Sequence, residues 1–198
     1  MFQHNERMMD FIRLYPCVSA LAGIQALIYF ATWMPFFPTV SFYQYFSGTN
    51  VAIANGEWWR FISPIFIHGG FSHFFFNTLS LILFAPPLEL LLKKIKFLLL
   101  YLLSGIFANA ATFLLMPLSY THIGSSGAIF GLFGAFAAFL AIKPSLFAEN
   151  HQKIIFPVVL IALLMTFVQT DVNIVSHLTG FACGFLIGSL YRIKLSSD

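Results

Sequence analysis

Two hydroxyls and three glycines crowd the stretch Gly124-Ser125-Ser126-Gly127-Ala128-Ile129-Phe130-Gly131, at the mouth of a segment otherwise apolar enough for lipid. Few other polar groups could do chemistry in such a place: His177 in "SHLTGFACGFLIG", His68, His73 and Asn77 in "HGGFSHFFFNTLSL", and Glu89 in "PPLEL". A serine hydroxyl is a weak nucleophile unless a neighbouring base takes its proton, and an imidazole suits that role near neutral pH. The charge that then develops on an attacked carbonyl oxygen needs donors already in place. The first turn of a helix offers free backbone N–H groups and a favourable dipole end. His73 and Asn77, four residues apart, share one helix face and could add side-chain donors. The set suits acyl transfer, with Ser126 as nucleophile and His177 as base. Asp171 falls near one surface and Glu89 near the other, so neither carboxylate is placed to orient the histidine. The pattern is a Ser–His dyad, not a triad. Plainer readings use the same residues: Ser is a good N-cap, and Gly is common in membrane helices.

The elements that would position these groups follow from composition. Of 198 residues, 59% are hydrophobic, 9% are charged and 26 are Phe, against about 25% charged in an ordinary soluble domain. Mean hydropathy is +0.86. This is the composition of an integral membrane protein. Met1 to Tyr15 carries charges of both signs and runs straight into an apolar stretch, so no cleavable signal peptide is evident. Cys17 and Cys183 lie in separate apolar segments without CxxC or CxxH spacing, which suits small core residues and not a disulfide or a metal site.

Charge gaps mark the spans. No Asp, Glu, Lys or Arg occurs between Arg13 and Glu57, Arg60 and Glu89, Lys96 and Lys143, Lys153 and Asp171, or Asp171 and Arg192. A span needs about 20 largely apolar residues, which predicts six helices near 17–34, 70–91, 96–115, 126–142, 154–170 and 173–191. An even count puts both termini on one side. There lie Arg7, Arg13, Lys93, Lys94, Lys96, Lys143, Lys153, Arg192 and Lys194, nine of the ten basic residues; only Arg60 falls opposite. That asymmetry makes the termini cytoplasmic. The net charge of +3 therefore needs no nucleic-acid partner. The whole chain, 1–198, is expected as one domain. Its first outer loop, about residues 35–60, holds most of "WMPFFPTVSFYQYF" and is broken by Pro35, Pro38 and Gly48. Such a stretch is expected to lie in the interface, where it would also serve as an aromatic belt.

Depth decides whether the polar groups can meet. At 1.5 Å per residue, Ser126 lies about 26 Å above Lys143, His177 about 22 Å above Arg192 and Asn77 about 24 Å above Lys93. In a hydrocarbon core of about 30 Å, the three occupy one layer just below the outer surface. Gly180, Gly184 and Gly188 repeat at every fourth residue on the face of His177, and Gly127 and Gly131 form a second pair. Such faces let helix backbones approach closely in lipid, which would carry His177 to Ser126. Plain helix packing explains the glycines equally well, though not the histidine.

In this order and on these helices, the residues resemble the rhomboid intramembrane serine proteases along nearly the whole chain. The family's GxSG appears as Gly124-Ser125-Ser126-Gly127, which assigns the nucleophile to Ser126 rather than Ser125. Its HxxxxHxxxN appears as His68, His73 and Asn77, its AHxxGxxxG as Ser176-His177 through Gly180 and Gly184, and its Trp-Arg pair as Trp59-Arg60. The resemblance implies a six-helix bundle with no metal or cofactor, in a bacterial inner (cell) membrane. Its partners would be the bilayer and transmembrane protein substrates, cut within or just outside their spans. It leaves no room before the first helix for the soluble domain that some relatives carry. Departures are Phe130 where some relatives stack a Tyr on the histidine, Pro86-Pro87 for a Gly-Gly pair, and Ser176 for Ala; none removes a catalytic atom. Glu89 is expected to cap or brace the inner end of the second helix, His68 to be structural in the first loop, and His122 to be incidental. Two rivals share the polar layer. One is a catalytically dead relative that binds helices, against which Ser126 and His177 both stand. The other is a small transporter, against which stand the lack of a repeated half and of a mid-membrane carboxylate.

Overall fold

The structure, a computed structural model, describes residues 8–142, 144–146 and 149–195. Arg7 and Lys143, two of the basic residues counted above, lie outside them. Among the described residues the chain is almost wholly helical. Two short strands, β1 (Gly48–Thr49) and β2 (Thr121–His122), pair antiparallel. Helices α1 (Met8–Leu14) and α2 (Pro16–Ala31) meet at a bend of 114°. Pro16 occupies the first turn of α2, where its missing N–H costs nothing. Then come α3 (Thr39–Phe46), α4 (Asn50–Ala54), a 45-residue α5 (Phe71–Leu115), α6 (Ser126–Ile142), α7 (Glu149–Val168) and α8 (Ile174–Leu195). Among the described residues, α5 and residues 174–191 are long and apolar enough to cross a membrane, and α1 with α2 could form a third, bent span. Ser126–Ile142 and Lys153–Val168 are shorter apolar helices.

The two helices predicted at 70–91 and 96–115 are joined at a single residue. Lys93 has φ 64° and ψ 165°, a conformation outside any helix. The chain folds back there. Asn77 reaches Ser125 and Asn109 reaches His122, three residues earlier, whereas a straight helix would set Asn77 and Asn109 about 48 Å apart. Sequence pattern suggested a short connection because three lysines cluster there; one residue at positive φ, at a cost of about 1–3 kcal/mol, replaces it. Glu89, near this turn, does not cap its own helix. Its carboxylate accepts the backbone N–H of Cys17 and of Val18, both at 2.9 Å, and so caps the start of α2. An anion suits the positive end of that helix.

Helix α6 lies at the centre, buried from Gly127 through Phe136. It is apolar all round, as a helix with neighbours on every side must be. Its partner is α8, and the glycines explain the closeness. A Cβ on Gly180 would run into the Gly127 carbonyl oxygen, and one on Gly184 into that of Gly131. From the opposite side, a Cβ on Gly134 would strike the backbone of Phe181. Gly184→Ala should therefore lower the melting temperature, with about 1–3 kcal/mol lost to overpacking. Thermal unfolding in detergent with an unchanged midpoint would mean that the two backbones are not in contact.

Candidate active site

Ser126 is the first residue of α6, and the first intrahelical bond runs from Ile129 N to the Ser125 oxygen. The N–H groups of Ser126, Gly127 and Ala128 thus precede the hydrogen-bond ladder and mark the helix's positive end. Gly124 sets the approach. It adopts φ +118°, and a Cβ there would lie 2.5 Å from His73 Nε2. Only a glycine lets the chain turn at positive φ while the His73 ring presses on it.

His177 enters from α8. Its ring stacks on Phe130, one turn into α6, with centroids 4.0 Å apart and planes 12° apart. Its Nδ1 lies 3.0 Å from Thr166 Oγ1 on α7. Asn173 sets the start of α8, with Oδ1 accepting Ser176 N at 3.0 Å and Nδ2 donating to Thr112 Oγ1 at 2.9 Å. Ser176 packs beside Gly127, so the departure from Ala is accommodated because its neighbour has no side chain.

Ser126, His177, His73 and Asn77 line one open cavity of about 950 Å³, together with Tyr120, His122 and the 168–173 connection. Ser125 does not. It is fully buried, its hydroxyl donating to Asn77 Oδ1 at 3.3 Å and lying 3.3 Å from His68 Nε2. Asn77 Nδ2 in turn donates to the His73 carbonyl at 2.8 Å. The two adjacent serines therefore differ: one faces the cavity and the other ties the loop to α5. His68 holds that tie from the segment before α5, where Tyr43 Oη donates to its carbonyl at 2.8 Å. Burial, with His73 alongside, pushes the His68 imidazole down to about 3, so it stays neutral at physiological pH.

The first loop is less a belt than a clamp. Arg60 is buried, ion-paired with Glu57, and donates through Nη1 to the carbonyls of Gln44 (2.9 Å) and Ser47 (2.6 Å). Trp59 Nε1 donates to the Tyr45 carbonyl at 3.2 Å, and both rings flank the guanidinium. The organised loop then grips the segment before Ser126: Asn50 N donates to Tyr120 O, and Gly48 pairs with His122. Its outer aromatics Trp33, Phe36 and Trp58 remain exposed. Trp59, Arg60 and Glu89 thus lie outside the cavity and brace the loops and helices around it.

Residues 55–194 match the rhomboid domain. The chain belongs to the rhomboid family. It is 42% identical over 190 residues to the putative rhomboid protease YdcA of Bacillus subtilis, spanning 96% of both chains. It is 35% identical over 136 residues to the rhomboid protease GluP of the same organism. With rhomboid-like protease 1 of Toxoplasma gondii the identity is 28% over 171 residues. It spans 26% of GluP and 58% of the Toxoplasma protein.

Within this rhomboid framework three residues escaped sequence reasoning. His122, expected to be incidental, joins the loops: its Nε2 lies 3.1 Å from Asn109 Oδ1, its ring fills the space over Gly48, and burial pushes it down to about 4. Asn173 and Thr166 are the others. Thr166 is a single hydroxyl within the apolar run 154–168, and such threonines commonly bond their own helix.

Proposed function

We propose that this rhomboid-family protein is an intramembrane serine protease that hydrolyses peptide bonds in or beside the transmembrane segments of other membrane proteins. One observation carries the reading: the Ser126 hydroxyl at the start of α6 and the His177 ring on α8 share a cavity, with the two helix backbones in contact beneath them. Ser126 Oγ attacks the scissile carbonyl while His177 takes its proton. The tetrahedral oxyanion is held by the first N–H groups of α6 and by His73 and Asn77. Collapse expels the amine, protonated by His177, and water then hydrolyses the acyl-enzyme by the same route. Gly124, Gly127, Phe130, Gly180 and Gly184 support this geometry, and neither metal nor cofactor takes part. The two limbs of α5, with α2, α6, α7 and α8, make six spans in a single membrane domain. The basic excess supports cytoplasmic termini, and the likeness to a Bacillus protein supports a bacterial cell membrane.

The direct test is labelling by a serine-reactive fluorophosphonate. Folded wild-type protein should label and Ser126→Ala should not; a folded wild-type chain that stays unlabelled would favour a binding protein. Acid should also silence the enzyme, because protonated His177 has no lone pair for the serine proton. On the acid side, kcat/KM should fall about tenfold per pH unit, as for one essential base. A flat profile from neutral to acid pH, with folding checked at each point, would argue against a histidine base.

A further inference from the structure

Cavities, buried histidines, exposed aromatics and the loop clamp all belong to the site or to the bilayer, with one exception. Thr166, on α7, is 1% exposed and is the one hydrogen-bond partner seen for the His177 side chain among the described residues. We infer that Thr166 is the positioning residue of the His177 base, fixing which ring nitrogen carries the proton. The inference rests on the proposed Ser126–His177 chemistry.

The argument is a proton count. Thr166 Oγ1 lies 3.0 Å from the Ala162 carbonyl oxygen and 3.0 Å from His177 Nδ1. A hydroxyl has one proton to give, and a carbonyl oxygen can only accept. With that proton bonded to the Ala162 carbonyl, as threonines within helices commonly bond, the hydroxyl turns a lone pair toward His177 and Nδ1 is the donor. A neutral imidazole protonated at Nδ1 carries its free lone pair at Nε2, the nitrogen left to face a nucleophile. Stacking on Phe130 fixes the plane of the ring, and Thr166 fixes its rotation within that plane. When His177 accepts the serine proton at Nε2, the Nδ1–H stays bonded to Thr166, and the Nε2 proton passes to the leaving amine. The partner carries no charge. His73, Tyr120, His122 and Asp171 are the titratable groups that share the cavity with His177. A serine protease triad orients its histidine with a carboxylate; here a hydroxyl anchored to its own helix takes that place, which explains how a dyad keeps one tautomer.

The variants are Thr166→Val, which keeps the shape and loses the hydroxyl, and Thr166→Ser, which restores it. Thr166→Ala stands in should the valine variant not fold. Losing the hydrogen-bonded partner of a metal-bound histidine typically costs about 10-fold to 100-fold; a loss on that scale should appear here in kcat, with KM nearly unchanged. The serine variant should recover most of it. Nitrogen NMR of histidine-labelled protein, assigned with His177→Gln, should show Nδ1 protonated in wild type and in Thr166→Ser, and a mixture in Thr166→Val. A packing role alone would lower the melting temperature and leave the tautomer alone. The inference falls if Thr166→Val keeps wild-type kcat, or if wild-type His177 carries its proton on Nε2. Failure of the protease reading is distinguishable: wild type would then neither label with fluorophosphonate nor cleave, while the NMR tautomer would still report on Thr166.

Discussion

Ser126→Ala should reduce cleavage of a model transmembrane substrate to the detection limit, while Ser125→Ala should keep most of it. The expected loss for Ser126 is on the order of 10⁴–10⁶ in kcat, the scale on which a serine enzyme loses its nucleophile. Helical depth alone leaves the two serines adjacent and interchangeable, and only the GxSG register of the resemblance chooses Ser126. Geometry separates them, because Ser126 lines the cavity and Ser125 is turned to Asn77 and His68. Ser125→Ala should instead lower the melting temperature, since a buried polar group left unpaired costs about 1–3 kcal/mol. Both variants are purified in detergent, checked for folding and assayed side by side. Wild-type cleavage by Ser126→Ala would overturn the proposed mechanism. A folded but silent Ser125→Ala, with Ser126→Ala active, would move the nucleophile by one residue.

The sequence made the α6–α8 pair legible because its signal is steric and local. Gly180, Gly184, Gly127 and Gly131 recur at helical spacing, and only close backbones need that. Stacking of Phe130 on His177 was instead implied by the rhomboid resemblance, in which some relatives carry a Tyr at that position. What stayed hidden depends on how distant segments meet. Glu89 lies about 70 residues from the two N–H groups it caps, and no periodicity in its own helix points to α2. The fold-back at Lys93 was placed to within a few residues, yet its compression into one residue could not be read from a run of lysines. His122 and Thr166 were missed because each finds its partner across a contact that sequence spacing does not encode. Asn109 and His177 supply the meaning of these residues, and the fold alone makes the introductions.

His73 and Asn77 should separate catalysis from packing, and they should not do so equally. As oxyanion donors both act mainly in the transition state, so each alanine variant should lower kcat by about 10²–10³ with little change in KM. The backbone N–H groups of α6 persist in both, so each should retain more activity than Ser126→Ala. Their secondary effects differ. The Asn77 amide spends one N–H on the His73 carbonyl and its oxygen on Ser125. Asn77→Ala therefore strips partners from the segment that carries the nucleophile, and its melting temperature should fall along with kcat. His73 instead sets its Nε2 in the space that a side chain on Gly124 would fill. His73→Ala opens space at a cavity that is already wide, so kcat should fall with a smaller thermal penalty. The measurements are kcat, KM and melting temperature for both variants. Full kcat with a lowered melting temperature would make both residues helix braces and leave oxyanion stabilisation to the α6 backbone. A kcat loss in His73→Ala with KM and melting temperature held is the outcome expected of a donor to the transition state and not of a helix brace, because a brace cannot be removed from a folded protein without being missed by the fold.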